Sequence, residues 1–372
     1  MSNKATAAPI AGLDRLRALA IILVFIFHYR LFAHPAWVDT WGSFGWTGVD
    51  LFFVLSGYLI AGQVLGELQQ QRFSAKVFFA RRAFRILPAY WVVLSLYFLV
   101  PGFREWGQPA ALWQFLGFTQ NIGLDLSLHR AFSHAWSLCI EEQFYLVLPL
   151  VAWSLYRWGS TKAGPWLLLF LFAAGFVLRA CSWWHLAAPG LAGDRYVVSW
   201  YRWVYYPTWN RLDGLLTGVG IAAAKQAYPL FVAWLQRYAR VWLWAGLLLL
   251  SGAYLLCADP FSFGASVYGF PLVAMGYGLL LLSAISPGTI LGRPLNQLGA
   301  WVATLSYPIY LVHKAAIHLV QDQSSRLGLA PDSGLMFLCC VVASILMALV
   351  LHLLVERPFL RLRQRLLLRW QQ

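Results

Sequence analysis

The sequence has little charge. Only 11% of its 372 residues are charged, and just 14 are Asp or Glu, whereas roughly a quarter of the residues in a soluble domain are charged. Hydrophobic residues make up 60% of the chain, and the mean hydropathy is +0.63. This balance excludes an ordinary soluble protein and predicts a polytopic membrane protein.

Cysteine is scarce too. The five cysteines lie in apolar segments, without the spacing of metal ligands or of a disulfide framework, so we expect no metal site. The formal net charge of +14 is compatible with nucleic-acid binding, but the basic residues stand in short segments between apolar runs, as topology-determining residues do. We therefore expect no nucleic-acid partner.

Long apolar runs recur along the whole chain. A membrane-spanning helix needs about 20 mostly apolar residues. Runs near this length centre on residues 16–33, 46–66, 86–101, 135–156, 165–185, 209–224, 241–257, 267–285, 299–319 and 334–355. A further run, 111–122, is too short to cross comfortably and is expected to lie in the interface or to re-enter. The prediction is an all-α protein with about ten transmembrane helices.

Basic residues then decide the topology. They gather in four segments: 72–85, 157–162, 225–240 and the C-terminal tail. All four fall on the cytoplasmic side only if 111–122 does not span, which puts both termini in the cytoplasm. We expect a cytoplasmic leader (1–12), one transmembrane domain (13–356) and a basic amphipathic tail (357–372) that binds the lipids of the inner surface.

Ionisable residues inside membrane spans are costly and are candidates for a functional site. Arg17 begins the first span, and the run FFARRAFRILPAYW places Arg81, Arg82 and Arg85 at the start of the third. Residues three and four apart share a helix face, and arginine binds phosphate oxygens bidentately. These arginines could hold a phosphate-bearing molecule, or they could serve topology alone.

A second set of polar residues lies toward the outer ends of five spans. Its members are His28, Asp50, Glu141, Arg211, Asp213 and His313. A single membrane histidine more often packs or hydrogen-bonds between helices than it catalyses a reaction. Polar side chains that reach one depth from five spans favour a shared cavity, although any one of them could belong to a structural network.

Helix geometry links the two sets. Arg17 and His28 are eleven positions apart, so at about 100° per residue they return to nearly the same helix face, roughly 16 Å apart along the axis. A phosphate-bearing molecule held at Arg17 could then extend its reactive end toward His28. The alternative is an arginine that anchors the helix at the interface and an unrelated histidine.

Seven segments carry a family resemblance. In chain order they are LDRLRALAIILVFIFHY, GVDLFFVLSGYLI, FFARRAFRILPAYW, HAWSLCIEEQFYLVLPL, YYPTWNRLDGLLTG, SYPIYLVH and VERPF. Over nearly its whole length the chain resembles the acyltransferase-3 family of integral membrane O-acyltransferases, whose first helix carries an Arg-x10-His pattern. Arg15 departs from that pattern, because family members often have Gly there.

The resemblance implies transfer of an acyl group, most often acetyl, to a hydroxyl of an extracytoplasmic glycan or glycolipid. The donor would be a cytoplasmic acyl-CoA such as acetyl-CoA, a co-substrate rather than a bound cofactor. Such a protein would lie in the bacterial inner membrane. The acyl-CoA phosphates would be held by Arg17, Arg82 and Arg85, together with Arg81.

The resemblance also makes His28 the candidate general base, because an imidazole titrates near neutral pH. Glu141 would orient or charge-balance the ring, as the third group of a catalytic set does. A transient acyl carrier is the alternative role for His28. The residues assigned to cavity structure or acceptor binding are Asp50, Trp136, Arg211, Asp213, Tyr310 and His313.

A different function class also fits many spans with buried acids and histidines: a proton-coupled transporter or flippase of a polar lipid or glycan. Against it, the sequence shows no two-half repeat and no matching pair of broken helices. The chain ends soon after VERPF, so we expect it to lack the hydrolase-like domain of some relatives. The membrane domain would then complete the transfer alone, as a homo-oligomer or with a separate periplasmic partner.

Overall fold

The computed structural model describes residues 11–187 and 196–369. Within these ranges the chain is helical, without strands, as the sequence predicted. Ten of the described helices have 15 residues or more: α1 Ala11–Tyr29, α2 Thr47–Gln69, α3 Ala75–Leu99, α4 Trp136–Arg157, α5 Gly164–Cys181, α6 Asp213–Ala227, α7 Ala239–Leu256, α8 Phe270–Ala284, α9 Gln297–Asp322 and α10 Gly334–Leu351. Each predicted span overlaps one of them. Residues 1–10 of the predicted leader lie outside the described residues.

Seven of the described helical segments, those containing α2, α3, α4, α5, α7, α8 and α10, are long and apolar enough to cross a membrane. An eighth is added if α6 and the following helix Pro229–Gln236, which meet at 113°, form one span. The polytopic all-α architecture is thus confirmed. α1 and α9 fall outside this set because they carry more polar and ionisable residues, so the count of ten spans and the cytoplasmic termini stay predictions.

The run 111–122 does not form a long helix, and its place in the interface stays a prediction. It holds one short helix, Leu112–Leu116, which at 1.5 Å per residue is only about 7 Å long. A helix of this length cannot cross a bilayer core of about 30 Å. The basic tail forms the helix Arg357–Arg369, which packs beside α3.

Capping side chains fix the first turns of α9 and α10. Asn296 accepts a hydrogen bond from the backbone N–H of Gly299 at 2.9 Å, and Ser333 accepts one from the N–H of Met336 at 3.1 Å. Asn and Ser are favoured at this position because their side chains satisfy backbone donors that lack a partner within the helix. The starts of two helices thus follow from local sequence.

Close glycine contacts join α2 to α6. A Cβ atom on Gly57 would overlap the backbone of Leu215, and one on Gly218 would overlap the backbone of Val54. Small residues let membrane helices approach until their backbones touch. This contact holds the N-terminal half of α2, which carries Asp50, against the start of α6.

The helices α1, α2 and α9 lie at the centre of the molecule. Leu16 and Ile21 of α1, Phe53 of α2 and Leu311 of α9 are all buried. By contrast, α5, α7 and α10 turn large apolar side chains outward, as helices facing lipid do. The polar side chains of His28, Asp50 and His313 on these helices are buried as well.

Candidate active site

An arginine cavity of about 290 Å³ lies between α1, α2, α3, α4 and α9. Arg17 of α1 and Arg82 and Arg85 of α3 line it, and Glu141 of α4 is part of the same wall. Guanidinium groups bind phosphate oxygens bidentately and keep their charge in a low dielectric. The cavity is therefore suited to a polyanionic ligand.

The three arginines differ in how far they are already paired. Arg17 forms an ion pair with Asp14 at 2.5 Å, and Arg82 Nη2 donates a hydrogen bond to Gln63 Oε1 at 3.1 Å. Arg85 is exposed and has no hydrogen bond or ion pair within residues 11–187 and 196–369. Its guanidinium group is the most available of the three for a ligand.

Two neighbouring arginines face elsewhere. Arg81 pairs with Glu67 at 2.5 Å and is not part of the wall of the arginine cavity. Arg15 donates hydrogen bonds to the carbonyl oxygens of Arg293 and Pro294 at 3.2 and 3.1 Å. The structure thus gives Arg15 a role in holding a loop and leaves the predicted donor role of Arg81 without support from position.

A histidine cavity of about 410 Å³ adjoins the first, and Val49 lines both. His28, His134, Lys314 and Arg130 supply its polar wall. Its aromatic wall is Phe27, Trp46, Trp106, Trp136, Tyr201, Tyr205 and Tyr206. A mostly apolar cavity of this size with a few converging polar groups is typical of a small-molecule site.

A hydrogen bond between two histidines fixes the ring of His28. His313 Nδ1 lies 2.9 Å from the carbonyl oxygen of Tyr310 and 3.1 Å from that of Ile309. A carbonyl only accepts, so Nδ1 carries the proton in neutral His313, and its Nε2 is an acceptor. The 2.9 Å contact between His313 Nε2 and His28 Nδ1 is then donated by His28. In neutral His28 the lone pair is therefore on Nε2.

Glu141 is placed apart from this pair. Its carboxylate accepts hydrogen bonds from Ser56 Oγ at 2.7 Å and from the Tyr145 hydroxyl at 3.1 Å. The sequence suggested Glu141 as the group that orients His28, but the structure gives that contact to His313. The catalytic role of Glu141 stays a prediction, and its position in the arginine cavity favours a role near the donor.

Tyr310 lies between the two cavities. It lines the arginine cavity, its ring centre is 5.5 Å from that of His134, and its hydroxyl donates a hydrogen bond to the His134 carbonyl at 2.5 Å. The hydroxyls of Tyr310 and Ser137 are 2.6 Å apart. Trp136 lines the histidine cavity. Both predicted cavity residues thus reach a cavity wall.

Asp50 and Arg211 form a buried ion pair. Arg211 Nη2 donates to both carboxylate oxygens of Asp50 at 2.9 and 3.0 Å. The guanidinium group also lies over the rings of Phe270 and Tyr205, at 4.1 and 4.4 Å. Neither charged side chain lines the two cavities. The pair instead packs against Tyr205, which belongs to the aromatic wall of the histidine cavity.

A second buried pair joins Asp213 to Arg179 at 2.6 Å. Arg179 lies in α5 and was missed by the sequence analysis, although an arginine inside an apolar 18-residue helix is itself a signal. A third pair, Lys314 with Glu105 at 2.7 Å, was missed as well. Lys314 follows His313 directly, whereas Glu105 lies in a loop with no pattern to identify it.

The side chains of the two cavities provide groups that can bind phosphate and transfer a proton. Across the described ranges, no three His, Cys, Asp or Glu side chains form a group that could hold a metal ion. The arginine cavity offers a set of phosphate-binding groups. Beside it, the imidazole of His28 has a nitrogen with a free lone pair. This combination suits a reaction between a phosphate-bearing donor and a molecule that loses a proton.

Comparison with known proteins identifies the family of the chain. Residues 10–353 match a family model described as an acyltransferase domain. The peptidoglycan O-acetyltransferase OatA of Listeria monocytogenes is 30% identical over 335 residues, covering 83% of this chain and 50% of the relative. The O-acetyltransferase OatA of Staphylococcus aureus is 27% identical over 334 residues, covering 84% of this chain and 51% of that protein.

The chain thus spans about half the length of these curated relatives. No solved structure matches it. The family model extends from the start of α1 through α10, and both cavities lie within it. The protein therefore belongs to the acyltransferase-3 family.

Proposed function

We propose that this protein is a membrane O-acetyltransferase that moves an acetyl group from acetyl-CoA to a hydroxyl of an extracytoplasmic glycan or glycolipid. The arginine cavity would bind the donor phosphates, and the histidine cavity would bind the acceptor. The observation that carries the proposal is the pair of adjoining cavities, with Arg17 in the first and His28 in the second.

Helix α1 connects the two cavities. It runs without a break from Ala11 to Tyr29, so Arg17 and His28 are about 16 Å apart along its axis. The donor phosphates are bulky and charged, whereas the arm that carries the acyl group is thin. A thioester could therefore reach the boundary at Val49 and Tyr310 while its phosphates stay among the arginines.

The chemistry follows from the tautomer of His28. Its Nε2 lone pair takes the proton of the acceptor hydroxyl as the oxygen attacks the thioester carbonyl carbon. The new C–O bond forms, the C–S bond breaks, and the proton on His28 is available to the departing thiolate. His313 keeps Nδ1–H of His28 engaged, so that Nε2 remains the basic nitrogen. The products are an O-acetyl ester and CoA.

The proposed acceptor class follows from the relatives, and the proposed orientation in the membrane follows from the basic segments. One of the relatives is a peptidoglycan O-acetyltransferase. Basic segments between the helices favour one face in the cytoplasm, which would place the arginine cavity toward acetyl-CoA and the histidine cavity outward, in a bacterial inner membrane. Aromatic rings around His28 offer flat apolar faces for sugar rings.

The test is a transfer assay with protein in lipid nanodiscs, where both faces are accessible. Radiolabelled acetyl-CoA is supplied with either de-O-acetylated peptidoglycan fragments or lipopolysaccharide, and the labelled ester is identified by mass spectrometry. We expect Arg17→Ala to raise the KM for acetyl-CoA at least about tenfold, the scale of a lost charge-assisted hydrogen bond. Arg15→Ala is the matched control, because Arg15 binds loop carbonyls. Equal effects of both variants, or no transfer to any glycan, would refute the proposal.

A further inference from the structure

His134 is a buried histidine that neither the proposed donor site nor the proposed proton transfer uses. It precedes α4, is only 2% exposed and lines the histidine cavity. Its ring centre is 5.9 Å from that of His28 and 5.1 Å from that of His313. Three imidazoles from three separate segments thus meet at one place.

One nitrogen of His134 has no partner. Nε2 lies 3.4 Å from the carbonyl oxygen of Leu311, and because a carbonyl only accepts, Nε2 carries the proton in the neutral ring. The lone pair is then on Nδ1, which is buried and has no hydrogen-bond partner among the described residues. Buried polar atoms in folded proteins are nearly always paired, so this nitrogen calls for a donor from outside the chain.

We propose that His134 is an acceptor-binding residue: its Nδ1 receives a hydrogen bond from a hydroxyl or amide N–H that neighbours the hydroxyl deprotonated by His28. This inference rests on the proposed function and names a feature of the acceptor. The substrate must carry a second hydrogen-bond donor beside the reacting group. A glycan meets this requirement because its ring hydroxyls and acetamido groups stand next to one another.

The dimensions of the site agree with this assignment. Both free lone pairs belong to side chains of the same cavity of about 410 Å³, which lies in the range of small-ligand sites. The separation of 5.9 Å between the two ring centres lets neighbouring groups on one ring each reach one imidazole at ordinary hydrogen-bond length. Two such bonds would select which hydroxyl of the glycan faces His28.

A matched pair of variants separates hydrogen bonding from packing. In His134→Asn the side-chain oxygen can take the place of Nδ1 as an acceptor, whereas His134→Leu fills the space without any acceptor. Binding is measured by tryptophan fluorescence in nanodiscs, since Trp46, Trp106 and Trp136 line the cavity. The probes are muramidase fragments of de-O-acetylated peptidoglycan, lipopolysaccharide and acetyl-CoA. The KM and kcat for each probe are measured in the transfer assay.

We expect His134→Leu to weaken binding of the accepted glycan, and to raise its KM, by roughly 5- to 150-fold, the effect of leaving one buried hydrogen-bonding group unpaired. Acetyl-CoA binding should change less than about twofold, and His134→Asn should recover most of the glycan affinity. Unchanged glycan binding in His134→Leu, as a bound water at Nδ1 would produce, overturns the inference. Equal loss toward glycan and acetyl-CoA, or no glycan binding by the wild-type protein, overturns it too. Weakened glycan binding without acetyl transfer by any form would instead refute the proposed function.

Discussion

Replacing His313 tests the claim that one histidine sets the proton position of another. In His313→Leu the Nδ1–H of His28 loses the acceptor that now lies 2.9 Å away. His28 then keeps a weaker partner for Nδ1–H, or moves its proton to Nε2, which removes the basic lone pair from the cavity. Either outcome slows the proton transfer while the acetyl-CoA site is left intact.

The size of the effect follows from the buried hydrogen bond. An unsatisfied buried donor costs about 1–3 kcal/mol, which at about 1.4 kcal/mol per tenfold corresponds to roughly a 5- to 150-fold fall in kcat. The upper bound is set by removing the base itself, which is worth about 10² to 10⁴. His28→Asn provides this bound, because the amide N–H of asparagine can still donate to His313.

The assay measures kcat and KM for acetyl transfer in nanodiscs. His313→Gln places an oxygen near the position of Nε2 and should retain most of the activity, whereas His313→Leu should not. His318→Ala, on the same helix and outside both cavities, controls for general damage to α9. A wild-type kcat in His313→Leu, or an equal loss in the leucine and glutamine variants, would refute the reasoning.

Three further predictions follow from packing, charge and topology. Gly218→Leu should lower the thermal unfolding midpoint in detergent, because its side chain would meet the backbone of α2 and overpacking costs about 1–3 kcal/mol; an unchanged midpoint would contradict the close contact. Asp50→Asn leaves Arg211 as a buried unpaired charge, at a cost of about 3–5 kcal/mol, so we expect aggregation in size-exclusion chromatography rather than a stable inactive protein. A topology reporter should read as outside near residue 128 and as cytoplasmic near residue 160, and the reverse would show that 111–122 spans.

Much of the fold could be predicted from the sequence because each membrane span is identified from one continuous stretch of residues. An apolar run of about 20 residues predicts a membrane helix without information from the rest of the chain. All ten such runs contain helices. The shared helix face of Arg17 and His28 could be predicted as well, because the helical period alone places both residues there. The short run 111–122 was identified by its length.

The partners of these residues could not be predicted in the same way. His313 lies 285 positions from His28, and Arg179 and Asp213 belong to different helices. Which faces of two helices meet depends on packing over the whole bundle, and the sequence analysis had only residue types and depth to work with. This is why Glu141 was assigned to His28 when the adjacent helix α9 supplies the actual neighbour.

Transfer of the acetyl group from the arginine cavity to the histidine cavity can be measured in sealed proteoliposomes. Radiolabelled acetyl-CoA is placed on the side of the arginine cavity only, and the glycan acceptor on the opposite side only, with the orientation of the protein determined by protease protection. We expect the label to appear on the glycan as an O-acetyl ester, and we expect His28→Asn to abolish this transfer while acetyl-CoA still binds. Label that reaches only acceptors on the same side as acetyl-CoA, or a fully active His28→Asn variant, would contradict this expectation.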